Sequence, residues 1–426
     1  MTSSLLLTQA RQERQAGRDQ NAAGYYRQLL DVPEWRQEAQ DFLLQFGMKS
    51  GNYADVVYLL EVMISGANAK VQLHLLLGQA LQKLTDADPT GTALSDIVKG
   101  LPFAYSSRLI LGRLKEVRGD VAQAMRDYLV AINTANGKGY WHNEASTPPW
   151  CRPFVSHALV AVQQYRQELF HTWLEPVWHQ FGRQDMSRVE KAVKMYSGEI
   201  PKVLADSRQV PSFLYVPDLP ICPVFERQEL VFAEEYESQA QLIKEELLNL
   251  LNSGNTFKPF QEGKAGEGLT KGGEWNAYFF HRHGQDFDVA HQQCPHTSKA
   301  LSGLPLVNIQ EHAPEVCFSI MQPGTHILPH RGVTNSRVVL HLGLVIPQYC
   351  RLNLLDVQEI TWQEGRTFAF DDTYLHEAWN RSNEYRAVLL ADIWNPHLTE
   401  EECLALTTLI EKIGVFNQET AAVDSD

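Results

Sequence analysis

The period of the hydrophobic pattern changes once along this chain, and that change limits the architectures open to it. Over the first ~195 residues apolar side chains recur at helical spacing and strand-like runs are almost absent. Between about 200 and 224, Pro201, Pro211, Pro217, Pro220 and Pro223 punctuate a stretch that cannot be a single helix. An amphipathic helix is predicted over about 229–252. After Gly254 the pattern becomes short β-rich runs separated by turn residues: WNAYFFHRHG, VCFSIMQPG, SRVVLHLGLVIP, FAFDDTYLHEAWN and YRAVLLADIW. Five such runs at short spacing indicate an all-β barrel or sandwich. A chain of 426 residues exceeds one ordinary core, so two domains are expected. The expected division is a helical domain over 1–195, a proline-rich linker and domain entry over 196–224, a strand domain with flanking helices over 225–413, and a disordered acidic tail over 414–426.

The helical half carries a weak internal period. Gly17 leads to Tyr25, Tyr26, Leu29 and Leu30; Gly51 leads to Val57, Leu59 and Leu60; Gly119 leads to Tyr128 and Ala131. Gly17 and Gly51 are 34 residues apart, and Gly119 lies 68 beyond Gly51, twice that interval. This is the period of the tetratricopeptide helix–turn–helix repeat, in which glycine marks the turn, a small residue lets two helices approach and an aromatic packs between neighbours. The middle unit, near Thr85, lacks its glycine, so the repeat is degenerate, and an irregular helical bundle is the alternative. A repeat stack offers a concave surface suited to an extended peptide.

Charge and cysteine usage narrow the function classes. With 37 Lys and Arg against 51 Asp and Glu the net charge is −14, which argues against a general binder of nucleic acid or of anionic membrane. The six cysteines are scattered with no C-x-x-C pair, the pattern of reduced thiols rather than of a disulfide framework or zinc site. No secretory signal and no membrane span is evident, so the expected setting is cytoplasmic.

Of the 15 histidines, His326, His330, His341 and His376 sit in β-rich runs flanked by turn signals. Alone, each reads more readily as a core or surface residue than as a ligand. Their arrangement adds information. His376 follows His330 by 46 residues, and Arg386 follows His376 by 10 within the next strand-like run. This is the layout of a double-stranded β-helix (jelly-roll, cupin-like) oxygenase domain, with two imidazoles holding Fe(II) and a basic residue pairing the far carboxylate of 2-oxoglutarate. An arginine fork meets a carboxylate bidentately, which a lysine cannot do. In EYRAVLLAD, Arg386 alternates with Tyr385 and Ala387, so it can face inward while they face outward.

The runs SIMQPGTHILPHRG, TNSRVVLHLGLVIP, WQEGRTFAFDDTYLHEAWN and YRAVLLADIWNP resemble the aspartyl/asparaginyl β-hydroxylase family, over roughly 208–400. The helical region upstream resembles that family's arrangement more loosely. The resemblance implies Fe(II) bound by His330 and His376, with 2-oxoglutarate and O2 as co-substrates. It implies that Ser319 and Arg386 grip the far carboxylate of 2-oxoglutarate, and that His341 and Trp275 line the pocket near it. The implied reaction is hydroxylation of an unactivated C–H, with succinate and CO2 as co-products. The implied target is Cβ of an Asp or Asn residue in a peptide or protein engaged by the helical repeats.

Two departures bear on that reading. Most oxygenases of this type complete a facial triad with His-x-Asp or His-x-Glu; here the third position is Gly332, so a two-histidine site is expected. The family usually places an arginine two residues before the histidine of HLGL, where this chain has Val339. Arg337 lies one step away on the same strand face and is the candidate substrate-binding residue; a surface arginine is the alternative. Asp371 and Asp372 are expected to shape a turn or to support a ligating histidine from behind. Three other readings stay open: the same chemistry on a free amino acid, natural-product peptide or other small molecule; a non-catalytic repeat adaptor with a degenerate barrel; and a cupin-like binding module.

Overall fold

In the computed structural model, which describes residues 2–65, 71–182, 186–254, 257–260 and 269–423, the first 137 positions fold as eight helices. These are α1 (Ser3–Gln15), α2 (Asp19–Leu29), α3 (Arg36–Ser50), α4 (Tyr53–Ser65), α5 (Val71–Ala87), α6 (Thr92–Gly100), α7 (Tyr105–Val117) and α8 (Val121–Gly137). Gly17, Gly51 and Gly119 all sit at helix–helix turns with left-handed φ of 71, 79 and 88°, a conformation that glycine adopts without a Cβ penalty. A Cβ added at Gly112 on α7 would lie 2.8 Å from the Tyr128 ring on α8, and Tyr26 packs on Phe42 with ring centroids 4.5 Å apart.

The middle turn differs from expectation. Thr85 lies inside α5, its hydroxyl bonding the Leu81 carbonyl, and the chain breaks six residues later at Gly91, φ 69°. Leu77, Ala80, Leu81 and Leu84 are all buried, so the apolar stripe carries α5 through the position where the period alone would end it.

Two more helices, α9 (Arg152–Phe181) and α10 (Ser187–Tyr196), complete the helical stretch. By their contacts the residues form two compact units, Met1–Arg166 with Phe416–Asp426, and Gln167–Val415. The end of α9, from Gln167, and α10 thus pack within the second unit, where Phe170, Leu174, Val177 and Val189 share a core with Leu214 and Ile309.

The stretch 196–224 is not a free linker. Val210 N–H donates to the Thr373 carbonyl (3.1 Å) and Phe213 N–H to that of Val333 (2.9 Å). The Asn335 side chain accepts from Val216 N–H (2.7 Å) and donates to its carbonyl (2.8 Å). Leu214 and Val216 are fully buried. Prolines exclude a helix but not burial, provided the remaining backbone groups find partners.

The second unit contains β1 (Val224–Phe225), α11 (Ala233–Ser238), α12 (Ala240–Asn252), β2 (Lys258–Pro259), β3 (Thr270–Lys271), β4 (Trp275–Arg282), β5 (Gln285–Asp286), α13 (Asp288–Gln293) and α14 (Pro295–Leu301). It continues with β6 (Val316–Met321), β7 (His326–His330), β8 (Arg337–Val345), β9 (Cys350–Leu354), β10 (Gln358–Ile360), β11 (Thr367–Phe370), β12 (His376–Asn380) and β13 (Arg386–Trp394). A larger antiparallel sheet runs β1-β11-β8-β13-β6-β4-β2, with β5 on the edge of β4; a smaller one runs β10-β9-β12-β7-β3. Apart from the β9–β10 hairpin, the chain from β6 onward crosses between the sheets at each step.

Strand parity explains the near-continuous apolar runs. On β8, Val338, Leu340, Leu342 and Leu344 pack with Ile243 and Leu247 of α12, while Val339 faces a second core shared with Leu352, Leu354 and Ala378 of the smaller sheet. On β13, Leu389, Ala391 and Ile393 take the helix side and Val388 and Leu390 the inter-sheet side. Both faces of the larger sheet are covered, so both parities are apolar except where the cavity needs otherwise.

The last helix, α15 (Glu400–Glu419), corrects the expectation of a disordered tail over 414–426. Phe416 and Thr420 are buried, and the Asn133 amide donates to the Thr420 carbonyl at 2.6 Å. Leu406, Leu409, Ile410, Ile413 and Phe416 form one apolar stripe at helical spacing, which the acidic composition of the tail obscures. Residues 424–426 lie outside the described residues.

Candidate active site

β7 and β12 are antiparallel neighbours, and their register sets His330 directly opposite His376. The two rings lie 4.1 Å apart between centroids. Each imidazole is oriented in the same way. His330 Nδ1 is 2.8 Å from the Leu328 carbonyl, and His376 Nδ1 is 2.9 Å from the Tyr374 carbonyl, in both cases two residues back. Nδ1 therefore carries the proton, and each Nε2 presents a lone pair. Burial, with the neighbouring His330, pushes the His376 pKa down to about 3, so this imidazole stays neutral and able to coordinate. Among the described residues, no set of three His, Cys, Asp or Glu ligand atoms that includes this pair closes to within 4.8 Å. Among the described residues two imidazoles meet here without a third ligand of these types.

Gly332 explains part of that. A Cβ at this position would run into the Asp372 carboxylate, so the space a triad side chain would need is taken by Asp372. Asp371 takes the first of the two roles expected of the pair, and Asp372 does not take the second, because both histidine Nδ1 atoms face backbone carbonyls. Asp371 accepts from Thr373 N–H and its hydroxyl at 2.9 and 2.6 Å and from the Gln209 amide at 2.6 Å, which shapes the turn. Asp372 lines the cavity; its Oδ1 is buried without a hydrogen-bond partner.

The cavity around the histidines has a volume of about 240 Å3 and is lined also by Trp275, Ser319, Arg337, His341 and Arg386. All seven sequence-predicted site residues therefore meet in one place. Three of them present donors. Ser319 Oγ accepts from Trp275 Nε1 (2.9 Å), which leaves its own proton to give. His341 Nδ1 accepts from Trp362 Nε1 (3.1 Å), so its Nε2 carries the proton; burial keeps the ring neutral, its pKa well below the ordinary range. Trp275 stacks on Phe260 at 3.9 Å and 7°, forming an aromatic wall.

Arg386 is the least conventional member. It is 2% exposed, and its contacts are the Ser319 carbonyl at 3.3 Å, the Met321 sulfur and the face of Trp362 at 4.7 Å. Its Nε is buried without a hydrogen-bond partner. Burial lowers its pKa to about 10, so it still carries its charge at neutral pH.

Arg337 is not the surface residue that was the alternative for it, but its charge is already committed. It pairs closely with Asp392 and lies 3.3 Å from Asp372. Burial alone would lower its pKa; Asp372 and Asp392 outweigh that and raise it. His326 points away from the cavity, paired with Glu377 at 2.7 Å. Sequence reasoning missed two contributors. Trp362 fixes the His341 tautomer and faces Arg386, and Asp392 neutralises Arg337. Both lie in the runs WQEGRTFAFDDTYLHEAWN and YRAVLLADIWNP, but their partners are distant in sequence and nothing local points to them.

Residues 237–396 match the sequence model of the family described as Aspartyl/Asparaginyl beta-hydroxylase, within the span where the resemblance was expected. The aspartyl/asparaginyl beta-hydroxylase of Homo sapiens is 31% identical over 175 residues, 41% of this chain and 22% of that protein. Aspartate beta-hydroxylase domain-containing protein 2 of Mus musculus is 29% identical over 251 residues, 56% of this chain and 69% of that protein. The ornithine lipid ester-linked acyl 2-hydroxylase of Rhizobium tropici is 32% identical over 177 residues, 41% of this chain and 61% of that protein. The match thus spans about a fifth of the length of the human hydroxylase. A Pseudomonas putida prolyl-4-hydroxylase structure matches with a TM-score of 0.24 and 16% identity, over 37% of this chain and 87% of that one, and no argument rests on it.

Proposed function

We propose that residues 237–396, the part similar to aspartyl/asparaginyl beta-hydroxylases, form the centre of a double-stranded β-helix domain that hydroxylates an unactivated C–H using Fe(II), 2-oxoglutarate and O2. The observation that carries the cofactor reading is Arg386. A buried, charged guanidinium without a carboxylate partner among the described residues costs several kcal/mol unless an anion joins it. Ser319 Oγ–H and His341 Nε2–H line the same cavity and are free to donate to that anion. The far carboxylate of 2-oxoglutarate suits this donor set. His330 and His376 each turn Nε2 away from a backbone-bonded Nδ1, and the lack of a third His, Cys, Asp or Glu ligand among the described residues would leave room for a 2-oxoacid and O2. Fe(II) held by His330 and His376 would let O2 act as the oxidant, one oxygen atom entering the C–OH product and the other the succinate formed as 2-oxoglutarate loses CO2. The Trp275–Phe260 stack and the apolar Ile327, Leu352 and Leu390 keep bulk water from the reacting centre. Anaerobic Fe(II) with 2-oxoglutarate is expected to give a weak visible charge-transfer band. No band in wild type, or its survival in His330→Ala/His376→Ala, overturns the assignment.

The substrate proposed is Cβ of an Asp or Asn residue in a peptide or protein, engaged by tetratricopeptide-like repeats in the helical region. Supporting this, a groove of about 630 Å3 on α2–α4 sets Leu43, Phe46, Tyr58 and Val62 beside Arg36, while Arg27 in the same lining is paired with Asp55 at 2.9 Å. Arg36→Glu/Tyr58→Ala should raise KM for a peptide substrate roughly tenfold while leaving substrate-free 2-oxoglutarate decarboxylation unchanged. Equal effects on both, or none on the peptide, would remove the helices from substrate selection. One observation favours a second reading. Val339 stands where the expected cation would be and Arg337 is doubly neutralised, so of the described cavity residues only Arg386 and Arg331, the latter already donating to the Arg208 and Thr373 carbonyls, are left to hold an acidic side chain. A neutral or acyl substrate fits that cavity, and one relative is an acyl 2-hydroxylase. Mass spectrometry for a one-oxygen gain on Asp-containing peptides against acyl lipids separates the two.

A further inference from the structure

We infer that His281, Asp286 and His291 form a second metal site, for a borderline divalent cation with Zn2+ as the best match, which clips the β4–β5 hairpin to α13. None of the three lines the cavity around His330 and His376, and the inference stands independently of the reaction proposed there.

The site is built within eleven residues. His283 and Gly284 both have positive φ, 49 and 69°, the pairing of a two-residue type I′ hairpin loop. That loop fixes the register, in which His281 stands opposite Asp286. Phe287 N–H returns to the Phe280 carbonyl at 2.9 Å, and α13 starts at the next residue. Its first turn carries His291 back over the hairpin, so that the His281 and His291 rings are 5.0 Å apart. His291 Nε2 is 2.8 Å and His281 Nδ1 3.8 Å from the same Asp286 oxygen, and the ligand atoms all lie within 4.8 Å of one another. Two ligands at Zn–N and Zn–O distances near 2.0–2.1 Å in a tetrahedron stand about 3.3 Å apart. The observed separations bracket that value.

A simple ion pair does not account for the geometry. Ser298 Oγ donates to the Cys294 carbonyl (2.9 Å), one turn back on α14, and accepts from His291 Nδ1 (2.8 Å). His291 therefore holds its proton on Nδ1 and turns a lone pair at Nε2 toward Asp286. Two lone-pair atoms 2.8 Å apart repel unless a positive charge sits between them. A proton would make a hydrogen bond, yet Nε2 is buried and has no hydrogen-bond partner although the Asp286 oxygen is 2.8 Å away. A cation off the N···O line, reached by His281 from the other side, satisfies all three groups. Two imidazoles and one carboxylate favour zinc and its neighbours over the oxygen-seeking Mg2+ and Ca2+. Asp286 is 62% exposed, so the cation can enter from solvent and keep a water as its fourth ligand.

The test uses the full chain with His330→Ala/His376→Ala, which removes the other proposed metal position. Calorimetric titration with Zn2+ should then give one ion per chain, and adding His291→Gln should weaken binding roughly a hundredfold or more. Asp286→Asn, at an exposed position that does not threaten folding, should weaken it also. With Co2+ the site should show no thiolate charge-transfer band, which separates it from Cys222, Glu229 and His397, whose ligand atoms also lie within 4.8 Å of one another. No Zn2+ binding at millimolar concentration overturns the inference. So does binding that survives both His291→Gln and Asp286→Asn, or binding that is lost with Cys222→Ser.

Discussion

Two arginines stand at opposite ends of one strand pair and border one cavity, yet the protein treats them in opposite ways. Arg337 opens β8 and Arg386 opens β13, and the strands run antiparallel. Arg337 meets Asp392 on the neighbouring strand and Asp372 from the loop before β12, so its charge is cancelled inside the chain. Arg386 meets a carbonyl, a thioether and an indole face, and its Nε meets nothing that accepts a hydrogen bond. A buried cation with internal partners is part of the framework. A buried cation without them is a receptor for an anion that comes from outside. Residue type and strand position are the same for both, and exposure differs modestly, 16% against 2%; the decisive difference is in the partners.

The comparison predicts opposite phenotypes for the same substitution. Arg337→Met strands Asp392 and Asp372 in a low-dielectric site, and removing one partner of a buried pair costs on the order of 3–5 kcal/mol. Urea melts should show that loss, and Arg337→Met/Asp392→Asn should recover part of it. A loss under about 1 kcal/mol would mean that the pairs do not hold the framework, and the contrast would fail. Arg386→Met removes an unsatisfied charge, so the protein without 2-oxoglutarate should be as stable as wild type or more so. Its affinity for 2-oxoglutarate should fall roughly a hundredfold, about 2.7 kcal/mol, and Arg386→Lys should restore only part of it. If Arg386→Met destabilises the ligand-free protein as much as Arg337→Met does, Arg386 is a framework residue and the cofactor reading loses its main support.

That asymmetry also marks where the sequence stops being informative. Alternation along SRVVLHLGLVIP and YRAVLLADIW is local, so the inward parity of His341 and Arg386 could be read from it. The pairing of His330 with His376 came from the family resemblance, and their register is visible only in the structure. The partners of Arg337 lie 35 and 55 residues away, a distance over which no local period carries information. The same holds for Gly332. The chain shows an absent carboxylate there, while the structure shows that a carboxylate 40 residues later takes up the space. In the helical region the glycine period located three turns, but at Thr85 a stronger apolar stripe overrode it. Proline content at 201–223 was a sound argument against a helix and no argument about burial, which depends on backbone partners such as Asn335.

A third buried charge, in the helical unit, lies between the two arginines and gives the smallest of the expected effects. Glu61 on α4 is 2% exposed and accepts from Ser107 N–H and Oγ at 2.8 and 2.7 Å, neutral donors both. Burial outweighs these bonds and the pull of Lys138, and lifts its pKa to about 7. The sign follows from proton uptake. Between the ordinary carboxylate value near 4.5 and about 7 the folded state binds more protons than the unfolded one, so stability falls as pH rises through that window and levels off above it. The fall is about 2 kcal/mol after allowance for relaxation of the site. Glu61→Gln keeps a carbonyl acceptor toward Ser107 and has no proton to lose, so thermal melts of the variant should lack this slope. If the wild type shows no slope between pH 4.5 and 7, or Glu61→Gln retains it, the carboxylate is satisfied in its charged form. Glu61 would then belong with Arg337, as a charge whose partners were built in.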